Sequence, residues 1–252
     1  MLKRLLGDSV SIVFGNLETV FKVCGAWFVL QVLMVMLLVF VSGDAGETSA
    51  SFGIGLYVIV FLVFTMVSSA SISVAWHRFG LLGERPDAIH LKLGPTEFRF
   101  ISKSLLLFLI LVMCMFFVML VHMVIGVIPV TGVVVALLAI FAIPTFLRLS
   151  LILPATAVER PIGLGEAYEA GKGLGWWMFL AIFLLTVPFT LLNEALGYIL
   201  DITTGGLPVF LIQIKVMILN VLLQIIITVL SISVITAAYR IAIEWQSGNM
   251  QG

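Results

Sequence analysis

Continuous apolar stretches of about 20 residues recur six times along this chain, and no other feature constrains its fold as strongly. A helix of that length crosses a bilayer core about 30 Å thick. Inside hydrocarbon every backbone amide must find its partner within the protein, which leaves helices or a closed barrel. The stretches lack the period-two alternation of barrel strands. The expected fold is therefore an all-α polytopic bundle of six transmembrane helices, with spans at Val23–Val41, Gly53–Trp76, Leu105–Ile125, Val130–Leu147, Trp176–Leu192 and Val209–Ala238. The apolar character of the fourth carries on to about Leu153, and that of the fifth past Pro188 towards Leu200. The last, about 45 Å long as a helix, has to tilt or protrude.

Composition agrees. Charged residues make up 10% of the 252 and hydrophobic residues 62%, with a mean hydropathy of +1.26. A soluble domain keeps about a quarter of its residues charged, because its surface must face water. The whole chain reads as one membrane domain: an amphipathic segment at 1–22, a six-span bundle at 23–241 and a tail at 242–252. Asn16, Glu18 and Lys22 interrupt the approach to the first span, so that span is expected to remain as an anchor. Cys24 and Cys114 both fall in apolar stretches, away from any CxxC pattern, and read as small packing residues.

Twelve of the thirteen Lys and Arg residues fall before the first span, after the second, fourth and sixth, and nowhere else. The exception is Lys215, expected to snorkel at the other interface. The loops 42–52, 126–129 and 193–208 hold no basic residue, although they contain Asp44, Glu47, Glu194 and Asp201. By the positive-inside rule both termini lie in the cytoplasm.

The same partition suggests three copies of one hairpin. Each would comprise an amphipathic stretch, an outward span and a returning span that ends in an aromatic residue and an arginine. The endings are Trp76-His77-Arg78, Phe146-Leu147-Arg148 and Tyr239-Arg240, and two returns are followed by Glu84-Arg85-Pro86 and Glu159-Arg160-Pro161. Ordinary interfacial placement of aromatics and arginines explains the endings equally well. Under either reading Arg78, Arg148 and Arg240 belong at the cytoplasmic interface, where a cation suits the negative end of a helix dipole.

The amphipathic stretches read as helices in the headgroup plane. Leu2, Leu5, Leu6, Val13 and Leu17 share a face at the start, with Lys3, Arg4 and Asp8 opposite. Phe98, Ile101 and Leu105 do so in the second basic loop, and Leu164 with Tyr168 in the third.

Catalytic signatures are missing: there is no HExxH, GxSxG, CxxC or GxGxxG. Gly165–Lys172 departs from a phosphate loop in spacing and lacks the following Ser or Thr. His77, His90 and His122 are too dispersed for one metal site and read as interfacial hydrogen-bonding residues. Neither cofactor nor metal nor nucleic acid is indicated. What remains is a polar stripe on the last helix, Gln213, Asn220, Gln224, Thr228 and Ser231, at helical spacing. Amides are costly in lipid, so the stripe is expected to face protein or trapped water. It either bonds helices together or lines a path, and the small face Thr65, Ser69 and Ser73 of the second span is its expected neighbour.

One segment carries a family resemblance. The residues from Phe146 through Glu159-Arg160-Pro161 to Lys172-Gly173 and the Trp176-Trp177 pair, with the ending Ala238-Tyr239-Arg240, resemble the six-helix membrane domain attached to some bacterial glycerophosphodiester phosphodiesterases and its stand-alone relatives. The resemblance implies a bacterial cytoplasmic membrane and a non-catalytic domain, and it brings no site residues. The spans leave no room for the phosphodiesterase barrel, so that activity does not carry over. Two function classes stay open: a non-enzymatic scaffold or accessory subunit working with the phospholipid bilayer or another membrane complex, and a small transporter using the stripe. Asp and Glu are absent from the six spans, where transport commonly recruits them, which favours the scaffold.

Overall fold

The computed structural model describes residues 1–43, 50–87, 89–125, 128–203 and 209–249. Among them nine helices occur: α1 (Leu2–Phe14), α2 (Leu17–Gly43), α3 (Ala50–Leu82), α4 (Pro95–Ile125), α5 (Ile128–Leu149), α6 (Ile152–Ala157), α7 (Leu164–Ala170), α8 (Gly175–Thr203) and α9 (Val209–Asn249). Six of them, α2 to α5 with α8 and α9, are long and apolar enough to cross a membrane. The chain is an all-α, multi-pass membrane bundle.

Helices α2, α3, α4 and α9 run well past the basic ends that hydropathy indicated, whereas α8 extends chiefly at its other end, to Thr203. The second basic stretch is not a separate interfacial helix. It forms the first turns of α4, and Phe98 and Leu105 point outward at 62% and 54% exposure while Phe100 and Leu107 turn in. At the start α1 is a helix of its own, buried through Leu5, Ser9 and Val13, whereas Leu17 is exposed. The fourth span divides into α5 and the short α6, and α8 continues through Pro188, as membrane helices allow when neighbours satisfy the freed carbonyl. At the end of α3, Gly83 takes a left-handed φ of 71° while its amide bonds the Phe79 carbonyl, which stops the helix there.

Three antiparallel hairpins, α2–α3, α4–α5 and α8–α9, follow one another round the bundle. α3 packs on α4, α5 on α8, and α9 closes back on α2 and α3. Both described chain ends sit at the end of the bundle that carries the basic loops. There α1 lies against α8 and α9, and α7 against α5.

The core is concentrated at this basic end. One cluster gathers Leu5, Leu151, Leu174, Met178 and Ile241, and a second gathers Val13, Val20, Trp27, Trp76 and Leu230. Close approach depends on two glycines. A Cβ on Gly175 would overlap the Pro144 carbonyl, and one on Gly80 would lie 2.8 Å from the Thr236 methyl.

Candidate functional site

Arginine side chains organise the basic end. The Arg78 guanidinium, near the end of α3, forms a two-pronged pair with Glu84 at 2.7 and 2.8 Å. It also donates to the Ala157 carbonyl at the end of α6 (3.2 Å) and to Glu159 (3.3 Å). Glu159 in turn accepts from the Thr96 hydroxyl in the first turn of α4 at 3.0 Å. The two Glu-Arg-Pro sequences thus converge: their glutamates meet on one arginine. Glu159 is the non-glycine residue with positive φ among the described residues, at 59°, a conformation that needs support from its surroundings. The Arg78 hydrogen bonds hold the Glu84 carboxyl below the usual carboxylate range.

The other two arginines tie down the short helices. Arg148 donates twice to the Tyr168 carbonyl of α7, at 2.9 and 2.6 Å, and stacks over the Tyr168 ring with 3.5 Å from Cζ to its centroid. A Cβ on Gly171 would crowd the Arg148 side chain at 2.9 Å. Arg240 donates to Asp8 of α1 at 2.6 Å, and Arg4 of α1 reaches Glu244 of α9 at 2.5 Å. Each arginine therefore ends one hairpin and engages the amphipathic stretch that opens the next: Arg78 through Glu159 to Thr96, Arg148 to Tyr168, Arg240 to Asp8. Asp8 is not simply on a wet face but closes this cycle.

Deeper in the bundle the polar residues pair across helices by one rule. Ser233 and Thr236 of α9 give their hydroxyl protons to carbonyls of their own helix, Val229 and Ile232. Their oxygens then accept from α3: Trp76 Nε1 reaches Ser233 at 2.7 Å, and His77 Nδ1 reaches Thr236 at 2.8 Å. The hydroxyl proton being committed, His77 carries its proton on Nδ1. On the other flank Gln31 of α2 donates to Ser68 of α3 at 2.9 Å, and Ser68 donates to the Thr65 carbonyl.

Of these the sequence reading pointed to Trp76 and His77, the latter as a hydrogen-bonding residue, but not to Ser233 or Thr236. Asn220 and Gln224 are exposed and Thr228 and Ser231 half-buried, on the face of α9 turned away from Ser233 and Thr236. Ser231 donates to its own Ile227 carbonyl. Gln213 lies outside the residues whose side chains are described. On α3, Thr65 donates to the Phe61 carbonyl of its own helix and Ser69 is exposed, although Ser73 is buried. The α3 residues that bond or closely approach Ser233 and Thr236 are Trp76, His77 and Gly80. A signal did exist, since Val229, Ser233, Thr236 and Arg240 recur at helical spacing opposite the amides. Of the histidines, His77 and His90 are buried at 1% and 8% exposure, and His122 is exposed.

No family model, curated protein or solved structure matches this chain. Its chemistry must be read from the side chains alone. Among the described residues no cluster of three His, Cys, Asp or Glu could hold a metal ion. The Ser233 and Thr236 hydroxyls of α9 are engaged with the Trp76 indole and His77 imidazole of α3 and hold the two helices together.

Proposed function

We propose that this chain is a non-enzymatic scaffold or accessory subunit of a bacterial cytoplasmic membrane, with both termini in the cytoplasm and lipids or a further membrane complex as its partners. The observation that carries this reading is the pairing of Trp76 and His77 with Ser233 and Thr236. The Trp76 indole and His77 imidazole, both buried, bond the α9 hydroxyls and join α3 to α9. A transporter that used the amide stripe would need Asn220 and Gln224 turned inward, and they are exposed. The orientation draws support from the distribution of Lys and Arg among the loops, and the bacterial setting from the resemblance of the 146–177 segment.

Two measurements test it. A reporter fused after Gly252 should be cytoplasmic, and one inserted near Gly46 external. The same side for both would end the six-span orientation. Proteoliposomes of the purified chain should show no solute or ion flux above that of empty vesicles, while mild-detergent purification recovers a stoichiometric membrane partner or bound lipid. Flux abolished by Gln224→Leu would replace the scaffold with a transporter.

A further inference from the structure

The connection from α3 to α4, residues 83–94, is non-helical where described, yet it does not stand off beyond the helix ends. The His90 amide donates to the Lys22 carbonyl at 3.4 Å, and the Ser71 hydroxyl donates to the Lys92 carbonyl at 2.8 Å. Ser71 precedes Arg78 by seven residues, about 10 Å along the axis of α3. The connection is thus a strap along the flank of the bundle, reaching inward past the Arg78 junction. Ile89, Leu91 and Leu93 point away from the protein at 69%, 46% and 50% exposure. Three outward aliphatic side chains at that depth belong in the boundary between headgroups and acyl chains.

Beneath the strap lie two adjoining crevices of about 110 and 320 Å³, which share Val74, Arg78, Lys92 and Glu97. Their lining holds four cationic and four acidic side chains, but these are not equally available. Glu84 and Glu159 are engaged by Arg78, and Glu97 accepts from the Gly94 amide at 2.7 Å. Asp87, the remaining acid, borders His90. None of the ion pairs among the described residues includes Arg85, Lys92 or Arg99. The larger crevice also opens on the first turn of α4, where the Thr96 and Glu97 amides have no carbonyl one turn earlier to bond and favour an anion. Independently of that helix end, His90 lines the smaller crevice with its Nε2 buried and without a hydrogen-bond partner. Ser9 Oγ, Trp27 Nε1 and Asn193 Oδ1 are also buried without a partner, but none of them borders these crevices, whereas His90 does.

We propose that the crevice binds the phosphate group of a phospholipid. The phosphate sits where the two crevices adjoin: Lys92 and Arg99 are its charge partners, the first turn of α4 donates backbone N–H groups, His90 donates from Nε2 in the tautomer that carries its proton there, and the acyl chains lie over Ile89, Leu91 and Leu93. This rests on reading the basic end as a membrane interface, which the topology reporters test separately from lipid retention. The experiment uses the full chain, equilibrated with vesicles of phosphatidylcholine containing phosphatidylglycerol, then extracted, washed in detergent and weighed by native mass spectrometry. Retained phosphatidylglycerol should fall about tenfold in the Lys92→Gln/Arg99→Gln variant. In a Lys3→Gln/Lys172→Gln control, two exposed cations of the same end outside the lining, it should stay within about twofold. All four side chains lie outside the core, so these changes spare the fold. Equal retention by the first variant, or an equal loss in the control, overturns the proposal. A second arm adds inorganic phosphate or glycerol phosphate to the lipid-loaded protein. Failure to displace the lipid supports a lipid source, whereas displacement at equal concentration assigns the crevice to a soluble phosphate compound and overturns it.

Discussion

The two ends of this bundle are built on different principles. At the basic end, the ends of six long helices and three short ones enclose Trp76, Leu5, Met178 and Ile241, and the hydroxyls of α9 answer the indole and imidazole of α3. Away from that end α4 and α5 present open, unburied faces. The most apolar 18-residue stretch of α5 has no buried residue, and that of α4 has 6%. Met113, Phe117 and Ala139 there border an open apolar groove. Hydrophobic burial cannot distinguish a lipid tail from a leucine, so apolarity alone does not draw membrane helices together. Where this chain packs tightly it does so through small residues, hydrogen bonds and charge. Where those are missing, the helices present their side chains outward.

Core truncation should accordingly be costly at one end and cheap at the other. Trp76→Ala at the basic end should cost about 3–5 kcal/mol, measured by unfolding in mild detergent. Phe117→Ala in the exposed part of α4 should cost less than about 1 kcal/mol. Comparable losses at both sites would remove the distinction.

A sharper form of the comparison uses one helix. Thr236→Val keeps shape but removes the acceptor of His77 Nδ1, leaving a buried donor unsatisfied at a cost of about 1–3 kcal/mol. Ser231→Val, five residues earlier and on another face, should cost under about 0.5 kcal/mol. Equal effects would mean that α9 has no privileged face.

The next effect is a pH dependence confined to the basic end. Burial pushes the His90 imidazole below its ordinary pKa, with the Glu97 carboxylate opposing more weakly. An unfolded chain takes up this proton below about pH 6.5, while the folded ring does so only at lower pH. The stability associated with neutral His90 is therefore complete above pH 6.5 and declines as pH falls towards the lowered folded-state value. Chemical unfolding measured across pH 7 to 5 should show this decline, and His90→Gln should flatten part of it. An unchanged profile in the variant would place the proton uptake elsewhere.

Smallest of all is the expected response to Gln224→Leu. With the amide exposed, the change should alter stability by no more than about 0.5 kcal/mol. A loss of several kcal/mol would show that the outward face of α9 is covered in the native membrane.

Architecture was easier to read from the sequence than the site. Long apolar runs report where a helix crosses, because the bilayer imposes a length and a composition, and all six spans correspond to helices in the structure. Helix ends were harder: the first turns of α4 carry Glu97, Arg99 and Lys103, so they read as a separate interfacial helix although they continue the span. The site was harder still. Asn220 and Gln224 drew notice because amides are conspicuous in an apolar run, yet Ser233 and Thr236, small enough to return their protons to their own backbone, make the cross-helix bonds. Chemical prominence indicates cost, whereas partnership depends on which face of α9 meets α3, and that requires the three-dimensional arrangement. The convergence of Glu84 and Glu159 on Arg78 illustrates the same point: the repeated tripeptide was visible, but its meeting point was not.

The bond between Arg240 and Asp8 also sets a clock. The partners are separated by 232 positions, which a ribosome adding about 5–20 residues per second takes roughly 12–46 seconds to traverse. For that interval the first helix has been made but its seat on the last has not. Leu5 and Val13, buried in the finished protein, must be sheltered meanwhile by the membrane surface or by a chaperone. The amphipathic character of the opening helix thus serves two successive hosts: a provisional one during synthesis, and the α8–α9 hairpin once it arrives.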